Sequence, residues 1–238
     1  LPDGGSFASV MGRPTIENIR RWVQAGGTLI AMNSSAMFCA DSTTGLSSVR
    51  PRSQVLAKLT EYEQSAIQEI ASEAPDIAKL HIWSYPEKPD TSSRKETKPG
   101  LKPEELERAD ELARVFAPSG AMLRVELDKD EWLTFGMGEK VPVMMTSSVA
   151  LAAKYPPVRT VGRFAPAPSL RISGLLWPEA RLRLANTPYC TQESMGMGQV
   201  ILFAGQPNFR AYFRGAERLL ANAILFGPGL GTSWTPEW

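Results

Sequence analysis

The stretch from Arg13 to Met32 constrains the fold of this chain more than any other. Ile16, Ile19, Trp22 and Val23 recur at helical spacing between Arg13 and Ala25, and Pro14 stands where a first helical turn needs no amide donor. Gly26 and Gly27 stop that helix. Thr28 to Met32 (TLIAM) is then a short, almost wholly apolar run of the kind buried in a parallel sheet. Ahead of the helix, Leu1 to Ser6 (LPDGGS) reads as the end of a strand running into a glycine loop. Strand, helix, paired glycines and strand make a βαβ unit. The expected fold class is therefore α/β, a mostly parallel sheet with helices on both faces. Since Leu1 falls at the tail of the first strand, earlier strands are expected upstream, in a longer parent protein.

Residues 41 to 118 break the alternation and read as a helical insertion into one α/β domain spanning residues 1 to 238. Val55, Leu59, Tyr62, Ala66 and Ile70 make an amphipathic helix over Ser53 to Ser72. Pro86 to Pro103 crowds prolines among charges and reads as a mobile excursion. Pro103 to Phe116 is helical, with acids early and Arg114 late, as a helix dipole prefers. The core pattern then resumes. Ala121 to Leu127 alternates apolar and polar residues, Val141 to Met145 is another buried strand, and Arg159 to Phe164 and Leu170 to Ile172 are short edge strands. Pro178 to Leu184 is a helical turn. Thr187 to Glu193 and Gln199 to Ala204 form an antiparallel pair across Ser194 to Gly198. Phe209 to Phe226 is the closing helix, with Phe209, Tyr212, Phe213, Leu219, Leu220 and Ala223 inward.

Composition narrows the chemistry. A net charge of +1 supplies no field to draw nucleic acid or anionic lipid. No apolar run reaches the roughly 18 residues of a membrane span. The sole histidine is His81, so sites needing two or three imidazoles cannot be assembled from this chain. Cys39 and Cys190 can pair, but two thiols are neither a disulfide framework nor a zinc site. Asp128, Asp130 and Glu131 fit no calcium loop and read as a charged turn; Glu104, Glu105, Glu107, Asp110 and Glu111 read as a solvated helix face.

Five segments together carry a resemblance: Leu1 to Ser6, Trp22 to Ala31 (WVQAGGTLIA), Ser119 to Val125 (SGAMLRV), Gly198 to Phe203 (GQVILF) and Phe209 to Gly215 through Leu219 to Ile224. Their order and spacing resemble the class I glutamine-amidotransferase-like domain at the C-terminal end of large bacterial zinc carboxypeptidase-like proteins. The resemblance implies a flavodoxin-like, doubly wound sheet and a periplasmic or secreted parent. It also implies an upstream catalytic domain, on the same polypeptide, as this domain's partner, with homo-oligomers open. The parent would be a zinc metallocarboxypeptidase. Its zinc, held in that family by two histidines and a glutamate, cannot lie in a segment with one histidine, so no cofactor is expected here.

In such domains an early glycine loop supplies oxyanion-stabilising amides, a place matched here by Gly4, Gly5 and Ser6. The nucleophilic cysteine stands on a sharp strand-to-helix turn, which here is Met32-Asn33-Ser34-Ser35 and holds no cysteine. Cys39 comes several residues later, and the late strands hold no histidine to act as base. The resemblance therefore implies a pseudoenzyme, an accessory or interaction domain without the triad. Two alternatives stay open. Gly4, Gly5, Ser6, Asn33, Ser34 and Ser35 can line a pocket for a small ligand. Alternatively, Ser34 or Ser35 can serve a divergent serine hydrolase or transferase, which needs a general base within reach. The simplest role for Asn33, Ser34 and Ser35 is to cap the following helix.

Overall fold

The computed structural model of the protein describes residues 1–4, 7–56 and 116–231. A short helix α1 (Phe7–Val10) precedes α2 (Arg13–Gln24), which stops at the two glycines and delivers the chain to β1 (Thr28–Met32). Helix α3 (Ser34–Ala40) follows at once; β2 (Arg50–Pro51) and α4 (Arg52–Leu56) come after a loop that buries Leu46 and Val49. Beyond residue 116 lie β3 (Ala121–Leu127), β4 (Lys140–Met145), β5 (Leu151–Ala152), β6 (Val158–Phe164), α5 (Ala167–Leu170) and β7 (Arg171–Ser173). Helix α6 (Pro178–Leu184), β8 (Pro188–Met195), β9 (Gly198–Phe203) and α7 (Glu217–Leu230) complete the described chain.

The α/β class stands, but the parallel sheet does not. The main sheet runs β1-β9-β8-β6-β3-β4, with β7 also on β3, while β2 and β5 form a separate pair. Of these pairings only β1 with β9 is parallel. The reason lies in the connections. A parallel crossover is usually made by a helix of some length. From β3 onward the strands are joined by turns, a 3₁₀ segment (Trp132–Thr134) and helices of four to seven residues, so the chain reverses instead. The alternation of Ala121 to Leu127, buried and half-buried in turn, is itself the mark of an antiparallel strand.

Three further expectations are corrected. Residues Arg159 to Phe164, read as an edge, form the interior strand β6 between β8 and β3. An irregularity at Val161-Gly162 lets it pass there, since a side chain at Gly162 would press on Leu127 and Val125 at 3.0 and 3.1 Å. Strand β4, read as buried, is an outer strand of the sheet, and that position accommodates Pro142 inside it. The closing helix does not start at Phe209. Phe209–Ala211 is a 3₁₀ turn with Arg210 and Ala211 at positive φ, and Gly215 lies so close to the Pro142 carbonyl that a Cβ would be 2.4 Å away. The helix begins only at Glu217, and Tyr212, expected inward, is exposed.

Both faces of the sheet are covered. Gln199 looks toward α7, donating from Nε2 to the Gly227 carbonyl at 2.7 Å and accepting from Gln192. Glu193, one residue from Gln192 and so on the opposite face, is buried and accepts bonds from Ser47 Oγ (2.7 Å) and the Ser48 amide (2.8 Å). This fastens the loop before β2 across the back of the sheet. The expected helix over 53–72 is described only at its start, as α4, and the Pro86 to Pro103 stretch lies outside the described residues, as do His81 and the 104–111 acids.

Candidate functional site

Strand directions decide which loops share an end of the sheet. β1 and β9 are parallel, and β8, β6, β3 and β4 reverse in succession, so β1, β9 and β4 all end on the same side. Asn33 follows β1 directly, Gln206 lies three residues after β9, and Ser147 lies two residues after β4. The loop after β4 runs back over the top of the sheet, so that the Ser147 hydroxyl donates to Asn33 Oδ1 at 2.6 Å.

Asn33 sits on the turn from β1 into α3 with φ 50° and ψ −113°. A non-glycine residue pays about 1–3 kcal/mol for such a backbone. The turn is so sharp because the Asn33 amide still belongs to the sheet, donating to the Phe203 carbonyl at 2.9 Å, while its carbonyl already accepts from Met37 in the helix. The three residues expected to cap α3 do something else. Asn33 makes no side-chain cap bond. The buried Ser35 hydroxyl accepts from the Met32 amide at 2.9 Å and lies 2.8 Å from the Leu1 carbonyl, tying the N-terminal segment to β1.

The group that organises the site is Asp3. Its Oδ1 accepts from the Ser34 hydroxyl at 2.6 Å and the Ser34 amide at 3.2 Å. Its Oδ2 accepts from Asn33 Nδ2 at 2.9 Å and from Gln206 Nε2 in a short contact. Partial burial pushes the carboxyl upward, but the bonds from Ser34, Asn33 and Gln206 outweigh it and hold Asp3 below its ordinary value of 3.8. Of the glycine loop, Gly4 has φ 141° and donates its amide to Ser34 Oγ at 3.1 Å; Gly5 and Ser6 lie outside the described residues. The fold thus brings Gly4, Asn33 and Ser34 together and places Ser35 beneath them. Asp3, Ser147 and Gln206 were missed by sequence reasoning. Small polar residues in loops just past apolar strands were a signal, but their convergence depends on strand direction.

The arrangement satisfies an anion with neutral donors. It does not present an activated nucleophile. Ser34 Oγ gives its proton to a carboxylate that is held ionised, a weak base. Cys39 is buried inside α3 with its thiol pushed up to about 12 by desolvation, which the N-terminal ammonium only partly offsets. Cys39 and Cys190 are both free and buried, so they do not pair. Among the described residues no group of three or more His, Cys, Asp and Glu side chains is placed to hold a metal ion, and no helix is long and apolar enough to cross a membrane. An open cleft of about 250 Å³ lies at the other end of the sheet, between Trp132, Arg159, Ser194 and Leu230.

Fold and site together define a mixed α/β domain whose sheet is covered on both faces and carries a polar knot at the ends of the parallel pair β1 and β9. No family model, curated protein or solved structure matches the chain.

Proposed function

We propose that this chain is a non-catalytic accessory or interaction domain of the glutamine-amidotransferase-like kind, working for a zinc carboxypeptidase-like protein in the periplasm or outside the cell. One observation supports the reading above the others. The sharp turn after β1, where an amidotransferase keeps its cysteine, holds Asn33 in the strained backbone of such a turn, with its side chain committed to Asp3 and Ser147. The conformation is kept while the nucleophile is replaced by an amide. The unit α2, β1 and α3 with β9 beside it carries the likeness; the antiparallel remainder of the sheet does not. In this reading zinc and peptide hydrolysis belong to the catalytic domain of the same polypeptide, and this domain stabilises or orients it.

The test is direct. Purified protein should release no ammonia from glutamine and hydrolyse no activated ester above background, and Ser34→Ala should change neither. Glutaminase or esterase turnover that disappears in Ser34→Ala would establish a working site and end this reading. A second reading, binding of a small ligand, is favoured by a specific feature: donors from two separated segments, the β1–α3 turn and the loop after β9, converge on one carboxylate.

A further inference from the structure

The largest fully buried side chain among the described residues is a cation. Arg181, on α6, is 1% exposed, and its Nε meets no acceptor. Charged groups are almost never buried this far unless paired, because the ion gives up its hydration and gains nothing in exchange. Buried and half-buried arginines elsewhere in the fold are answered by carbonyls. Arg183 donates to that of Ser148, Arg52 to that of Arg183 at 2.9 Å, and Arg124 to that of Ser169 at 3.0 Å. Among the described residues nothing of the kind answers Arg181. Burial first, and then the like charge of Arg171 on β7, lower the pKa of its guanidinium. Glu179 stands two residues earlier on α6, a spacing at which helical side chains do not face each other. Arg171 leads from there to the surface: its Nη1 donates to the Gly174 carbonyl at 3.4 Å, in a turn where Ser173, Gly174 and Leu175 are exposed.

We infer that the Arg181 guanidinium is the anchor of an enclosed site for a small oxyanion, which supplies the acceptor the chain itself does not. The class of ligand follows from the donor. A planar guanidinium presents parallel N–H groups that match two oxygens of a carboxylate or a phosphate, and a spherical anion such as chloride cannot engage both. Because Arg181 is enclosed, the ion is taken up as the chain folds, and its binding appears as stability. No covalent bond is made or broken. The site lies on α6 and does not depend on how the β1–α3 turn is read.

The experiment compares the full chain with Arg181→Met, which keeps an unbranched stem and removes the charge. Each is unfolded and refolded in urea across a series of inorganic phosphate, of acetate, and of chloride at matched ionic strength. The urea midpoint of the wild type should rise saturably in phosphate or in acetate and stay level in chloride; the oxyanion that acts at the lower concentration identifies the ligand as phosphate or carboxylate. Arg181→Met should lose that response. In chloride alone its midpoint should equal or exceed that of the wild type, because removing an unpaired buried charge leaves nothing unsatisfied behind. Three results would each overturn the inference: a wild type that responds to neither oxyanion, an Arg181→Met that responds as the wild type does, or an Arg181→Met well below the wild type in chloride. The last would mean that an acceptor elsewhere in the chain already pairs Arg181. Should Arg181→Met fail to fold, Arg181→Gln is read in the same way, and failure of both counts as that third result.

Discussion

Asn33 and Asp3 depend on each other, and each makes a separable contribution to stability. Asn33 gives up two hydrogen bonds when truncated, about 1 kcal/mol each, while its backbone strain stays. Asn33→Ala should therefore cost about 2 kcal/mol. Glycine adopts φ 50° without strain, so Asn33→Gly loses the same bonds but is relieved by about 1 kcal/mol or more. Denaturant midpoints should place Asn33→Gly above Asn33→Ala; the opposite order would mean that the turn is not strained. Asp3 is tested by pH. Its carboxyl is held below 3.8 in the fold, so the ionised form favours folding. That contribution is complete above the unfolded value and is lost as pH falls through the lower, folded one. Stability curves of wild type and Asp3→Asn should thus converge as pH drops below about 4; a constant gap down to pH 2 would show that the carboxylate's charge is not what the site binds.

Among the elements, the β8–β9 hairpin has the least room for change. Met195 and Gly198 pair across a two-residue turn whose first residue, Gly196, has φ 62°, the position that type II′ turns reserve for glycine. The turn docks on the end of α2, with the Met197 amide donating to the Gln24 carbonyl at 2.9 Å and the Gln199 amide to the Gly27 carbonyl at 3.1 Å. A Cβ on Gly198 would stand 2.0 Å from the Val23 carbonyl and 2.3 Å from that of Gly27. Gly198→Ala should then lower stability by about 2–3 kcal/mol, measured by denaturant melts; a change within about 0.5 kcal/mol would mean that helix and hairpin separate easily. The helix, its glycine stop, TLIAM and this hairpin were legible in the sequence because periodicity and glycine act locally. What failed was direction. A strand's apolar content does not say which way its neighbour runs, and the loops from β3 to β8 carried that answer in their lack of long helices. The β1–α3 turn was legible by resemblance, but its occupant was not: Asp3 is 30 residues from Asn33 and Gln206 is 203 residues from Asp3, beyond any local pattern.

For the molecule as a whole, the only parallel pair among the described residues is also one of its longest-range contacts. Thr28 faces Gln199, 171 residues later, and β1 lies at the end of the sheet with β9 as its ladder partner. Closing so long a loop adds little to equilibrium cost but delays pairing. During synthesis at about 5–20 residues per second, TLIAM leaves the ribosome roughly 10–30 s before GQVILF exists. For that interval the α2–β1–α3 unit has an apolar strand without β9, the partner it pairs with in the fold. A nascent chain in this condition attracts holding chaperones, or other nascent copies of itself on the same messenger. The yield of folded protein should therefore depend on how well these five residues are sheltered until their partner arrives.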